Sequence, residues 1–178
     1  MQKNDCFLMR GSAIDEPMTV YCVEEVCAEK IWAKSLLVEN EMVQGWPIPN
    51  EYDNNIPENA ILLPANSWQW GKNEMLTFIK DTFDLLRKKA IREKPEIRIG
   101  SHYVGGHGGV HTVTEIGEER IKFIEFRLDE DDISPCWKGE VCPDDTDDWY
   151  AISEETYTEV IQGYNDLLTK LRNKFCGL

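Results

Sequence analysis

At 178 residues the chain has the length of one domain, and 42% apolar content with six Trp, six Tyr and six Phe marks it as a folded protein with a core rather than a disordered one. A formal net charge of -14 sets it against nucleic acid and anionic membrane and in favour of basic proteins, because like charges repel over long range. No window approaches the ~18 apolar residues of a membrane helix, and the polar start from Met1 to Asp5 is not that of a signal peptide, so a cytoplasmic protein is expected.

In chain order, Asp5 to Met9 and Met18 to Val23 read as strands, the second rich in β-branched and aromatic residues. From Glu24 to Glu39 the apolar residues Val26, Cys27, Ile31 and Trp32 fall near helical spacing with charges between them, which favours a helix. Gly45-Trp-Pro-Ile-Pro49 breaks regular structure, since proline lacks a donor and restrains its predecessor. Glu39 to Asn59 holds five acids and no Lys or Arg, and is expected to be a long acidic loop carrying Trp46 and Tyr52. Ala60 to Leu63 is a short buried run, Ser67 to Trp70 alternates and stops at Gly71, and Asn73 is a candidate N-cap. The helix behind it buries Met75, Leu76, Ile79, Phe83, Leu86 and Ala90, and its basic last turns complement the helix dipole before Pro95.

Ile97 to Leu128 reads as three strands of an antiparallel meander at the centre of a sheet, with four glycines between the first two. Asp129 to Asp148 carries nine acids against Lys138 alone, and Pro135, Gly139 and Pro143 mark it as a loop. Ser153 then caps a second helix whose apolar residues, Tyr157, Val160, Ile161, Tyr164, Leu167, Leu168, Leu171 and Phe175, recur at three and four. The predicted fold is α+β: one domain, residues 1–178, with an antiparallel or mixed sheet of about five to seven strands and two long amphipathic helices packed on one face. Both helices follow an aromatic pair (Trp68 and Trp70, Trp149 and Tyr150). This is read as coincidence, because the spacing elsewhere does not repeat.

Several patterns bear on chemistry. All three histidines, His102, His107 and His111, fall in the meander, and neutral imidazoles are common metal ligands. If Val104 pairs with Val110, however, His102 and His111 point to opposite faces, since strand side chains alternate. A metal-binding protein or metal-dependent enzyme built on these histidines is therefore the alternative reading. The glycine cluster fits no phosphate-binding motif and leads into a strand, so no helix N-terminus faces an anion and no cofactor is expected. The six cysteines form no C-x-x-C pair and are expected as free thiols; Cys136 and Cys142, flanking a Trp-Lys-Gly-Glu-Val turn, would pair only if oxidised. Ser101 adjoins His102, but adjacent strand residues face opposite sides and no G-x-S-x-G elbow exists, and the acidic runs lack the glycine of a calcium loop.

What remains is acidity combined with aromatics. Aromatic residues are enriched at interface hot spots, and an acidic rim speeds encounter with a basic partner. Asp129, Asp131, Asp132, Asp144, Asp145, Asp147 and Asp148 are the candidate partners for Lys and Arg, with Trp137 and Trp149 filling apolar pockets. In size, acidity and loop-borne aromatics this profile resembles bacterial immunity proteins and antitoxins that face nucleases, although no family motif carries the likeness. The expected function is to bind and inhibit a basic protein such as a nuclease toxin, with no nucleic acid or membrane partner and no catalysis.

Overall fold

The computed structural model describes residues 2–10, 17–39, 42–53, 60–105 and 108–176; Gly106, His107 and the end of the expected acidic loop lie outside them. The chain divides into two compact units, the first formed by Met1–Leu76, Glu130–Asp132 and Leu167–Leu178, the second by Thr77–Asp129 and Ile133–Asp166. No helix among the described residues is long and apolar enough to cross a membrane.

The first unit contains β1 (Cys6–Arg10), β2 (Met18–Val26), β3 (Lys30–Val38), β4 (Val43–Asp53) and β5 (Ile61–Leu63). They lie in the order β5-β1-β2-β3-β4, with every pairing antiparallel. The helix expected over Glu24–Glu39 is instead the end of β2, a tight turn and β3. The misleading signal has a cause. Val26, Cys27, Ile31 and Trp32 are neighbours around the β2-β3 turn, and of the four only Ile31 is buried, so their near-helical spacing marks no buried face. The long acidic loop is likewise corrected, because β4 runs on to Asp53. Pro47, Ile48 and Pro49 fall within the register shift, where no ladder bond to β3 is required. Glu51 and Asp53 then flank Lys30, at 3.5 and 2.7 Å.

The first helix, α1 (Ser67–Lys89), begins six residues before Asn73 and absorbs the expected Ser67–Trp70 strand. Trp68, Lys72, Met75, Ile79 and Leu86 form one buried stripe at spacings of three, four and seven, so the tryptophan belongs to the helical period. Gly71 permits a close approach, since a Cβ there would stand 2.2 Å from Leu36 Cδ2.

The second unit contains α1 from Thr77 on, β6 (His102–Val104), β7 (Val110–Ile116), β8 (Ile121–Leu128), β9 (Asp132–Val141) from Ile133 on, β10 (Tyr150–Ile152) and α2 (Glu154–Cys176) as far as Asp166. The meander β6-β7-β8 is central, in the order β10-β6-β7-β8-β9. The expected loop from Asp129 to Asp148 is half strand. Cys136 lies inside β9 and Cys142 just past its end, so they do not flank a turn, and both are free thiols. Ser153 caps α2 as expected, its Oγ accepting from the Thr156 N–H at 3.1 Å. Ser153→Ala should lower stability by about 1 kcal/mol in denaturant unfolding, the usual cost of a lost N-cap.

The two units share one topology. In each, four strands form an antiparallel meander and a fifth short strand returns beside the first; along the chain a 23-residue helix follows each set and is divided between the units, after Leu76 in α1 and after Asp166 in α2. The register shifts recur in the equivalent hairpins, β2-β3 with β7-β8 and β3-β4 with β8-β9. Val23-Glu-Glu-Val-Cys-Ala-Glu-Lys-Ile-Trp-Ala33 and Val113-Thr-Glu-Ile-Gly-Glu-Glu-Arg-Ile-Lys-Phe123 occupy the same hairpin, with four of eleven residues identical. The aromatic pairs are not part of this repeat: Trp68 and Trp70 lie within α1, whereas Trp149 and Tyr150 stand at the start of β10, so their likeness is the coincidence expected.

The strands of each unit bury apolar side chains on both faces. In the second unit, His102, Phe126 and their same-face neighbours meet the helices: His102 stacks on Tyr157 at 3.9 Å, and Phe126 meets Phe78 and Tyr164. The opposite face carries a smaller cluster of Tyr103, Val113, Ile121 and Trp149. Phe7, Val23 and Ile31 form the counterpart in the first unit.

Candidate functional site

The face of the second sheet that bears Trp149 also bears the acidic segment. Pro143 opens a 3-10 turn (Pro143–Thr146), which suits a residue with a fixed φ and no donor. Thr146 Oγ1 donates to the Pro143 carbonyl at 2.8 Å, and the Trp149 N–H closes on the Thr146 carbonyl at 3.0 Å. This tight double turn drives Thr146 and Trp149 inward and leaves Asp144, Asp145, Asp147 and Asp148 exposed. Trp149 packs on Tyr103, His111 and Phe123 with ring centroids 5.7, 4.5 and 5.5 Å away.

Beside it lies a hollow of about 670 Å³. His111, Phe123 and Trp149 line its floor, and Glu125, Arg127, Glu140, Asp144, Asp145, Asp147 and Asp148 surround them. Register brings these groups together. His111 is paired with Tyr103 on one side and Glu125 on the other, so all three share a face. His111 Nε2 lies 3.5 Å from Glu125 Oε1, and the Glu125 side chain is only 14% exposed. Two glycines of the cluster keep this space open. A Cβ on Gly109 would stand 2.3 Å from Glu125 Oε1, and one on Gly105 would stand 2.7 Å from His111 Cε1.

The predicted site residues separate. Asp144, Asp145, Asp147, Asp148 and Trp149 converge on the hollow. Trp149, at 4% exposure, is its floor and does not project toward a partner, which corrects the expected pocket-filling role. Trp137 does project, at 48% exposure, with the Arg127 guanidinium 4.1 Å from its ring centre. Asp129 is exposed but does not line the hollow. Asp131 and Asp132 belong to the first unit, where the buried Lys72 ammonium takes the Asp131 carboxylate at 2.5 Å. Asp147 pairs with exposed Lys94 and holds that ammonium above its usual pKa through the hydrogen bond and its charge.

Compared with protein-family models, curated proteins and solved structures, the chain finds no match. The function therefore rests on the site itself.

The histidines stand as the Val104–Val110 register requires. His102 faces the helices, its Nδ1 2.8 Å from Thr112 Oγ1 and its Nε2 2.7 Å from Glu154. His111 is on the other face, and His107 lies outside the described residues. Among the described residues no three His, Cys, Asp or Glu side chains gather as a metal site would require. Glu125, Arg127 and Glu140 escaped the sequence reading because their neighbours in space are set by the pairing of β7, β8 and β9. The hairpin turn at Gly117 was the available signal for the first of these pairings.

Proposed function

We propose that this is an acidic binding protein that recognises and inhibits a basic protein in the cytoplasm, of the immunity-protein or antitoxin type. The observation that carries the reading is the ring of carboxylates around the hollow: four consecutive-turn aspartates stay exposed while the adjacent Trp149 anchors their backbone. Fixed carboxylates around a concave surface focus the field, attract a cationic patch and set its orientation before contact. Trp137 at the surface supplies an aromatic anchor of the kind that dominates interface energetics. Inhibition follows by occlusion, since a nuclease must present a basic surface to its substrate and that surface is the one engaged.

The test begins with capture of a partner on the immobilised chain at low ionic strength, followed by association kinetics. Between ~0.01 M and ~1 M salt the screening length falls from about 30 Å to about 3 Å. The association rate should fall at least about tenfold over that range. Converting Asp144, Asp145, Asp147 and Asp148 to Asn should lower the low-salt rate similarly and flatten its salt dependence. A rate indifferent to salt sinks the proposal.

A further inference from the structure

We infer that the hollow over His111 is a receptor for a single arginine side chain of the basic partner. The inference rests on the binding role proposed above and assigns the chemistry of its central contact.

Three observations converge on a guanidinium. The first is shape and surface: the rings of His111, Phe123 and Trp149 lie 4.5 to 5.5 Å apart on the floor, and a planar, weakly hydrated cation stacks on such rings better than a compact ammonium. The second is hydrogen-bonding demand. His111 is 7% exposed, and its Nδ1 is buried without a hydrogen-bond partner. That edge of the ring is turned toward Gly105, which lines the hollow: a Cβ there would stand 3.2 Å from Nδ1. In the tautomer whose Nε2–H faces Glu125, 3.5 Å away, Nδ1 is an acceptor, and an incoming N–H would relieve the cost of its isolation. The third is charge: six carboxylates, of which Asp147 is paired with Lys94, line the hollow against Arg127 as the one cation among its lining residues.

Arg127 itself shows the chemistry in place. Its guanidinium stacks on Trp137, and its Nε stands 4.0 Å from Glu125 Oε2, beyond hydrogen-bond length. It marks the rim, while Glu125 stands beside His111 on the floor and adds its negative charge there.

The test uses Nα-acetyl-arginine amide and Nα-acetyl-lysine amide as probes on the full chain, at low salt, followed by NMR of the His111 Cε1–H resonance, which is assigned by its loss in His111→Gln. The arginine probe should shift that resonance saturably with a Kd of roughly millimolar. The lysine probe should bind at least about fivefold more weakly. Glu125→Gln should weaken the arginine probe at least about tenfold. If that variant fails to fold, Asp144→Asn with Asp148→Asn, both exposed, should weaken it about threefold. Equal binding of the two probes, or indifference to these changes, overturns the inference. If the salt-dependent capture of a partner still succeeds, only the arginine receptor falls; if capture fails too, the binding role falls with it.

Discussion

Replacing Trp149 by alanine is expected to lower stability by about 4 kcal/mol, the scale of losing a buried indole from a packed cluster. The side chain is 4% exposed and touches three rings on one sheet face, so its removal leaves a void that the tight 3-10 turn cannot collapse to fill. Trp149→Phe, which retains most of the apolar contact, should cost about half as much. Equilibrium unfolding in urea measures both. The same substitution strips the floor from the hollow, so native Trp149→Ala protein should also lose the response of the His111 resonance to the arginine probe. A loss below about 1 kcal/mol would mean the acidic turn is held by other contacts.

The second large effect lies in the first unit. Lys72 is 6% exposed on α1, and its ammonium meets the carbonyls of Gly45 and Glu130 at 3.0 and 2.5 Å besides the Asp131 carboxylate. The Gly45 N–H returns a bond to the Asp131 carbonyl, so one cation ties a strand and the Glu130–Asp132 segment to a helix. Lys72→Met fits the apolar stem but strands two carbonyls and a carboxylate, and should cost about 3 kcal/mol. Asp131→Asn should cost less than about 1 kcal/mol, because the Asp131 side chain is half exposed and water replaces much of what is lost. Unfolding curves in which the two variants fall together would place the ion pair, not the carbonyl contacts, at the centre of this junction.

How much of this was legible depended on the kind of signal. The two helices were, because Met75, Ile79 and Leu86, and Val160, Tyr164, Leu167 and Leu171, keep one period over several turns. The Val104–Val110 pairing was as well, since a short glycine-rich loop leaves few registers. The strands β3 and β4 were hidden by their register shift, which changes parity midway and places prolines where a strand normally refuses them. The hollow was hidden by the same device. From Ile116 opposite Ile121, an unbroken ladder would set His111 opposite Phe126; the irregularity between Val113 and Glu115 sets it opposite Glu125 instead. One extra residue thus converts an apolar neighbour into a charged one, and nothing local in the sequence announces it. The acidic run was visible as charge, but which of its members were already engaged, as Asp131 is by Lys72, required the fold.

The doubled architecture makes the two halves comparable. Tyr21 stands on β2 where His111 stands on β7, and Ser35 on β3 where Glu125 stands on β8. The first unit thus serves as an internal control for the second: strand order and register shifts agree, while an uncharged pair occupies the place of the histidine and its carboxylate, so any cation recognition is confined to one half of the chain.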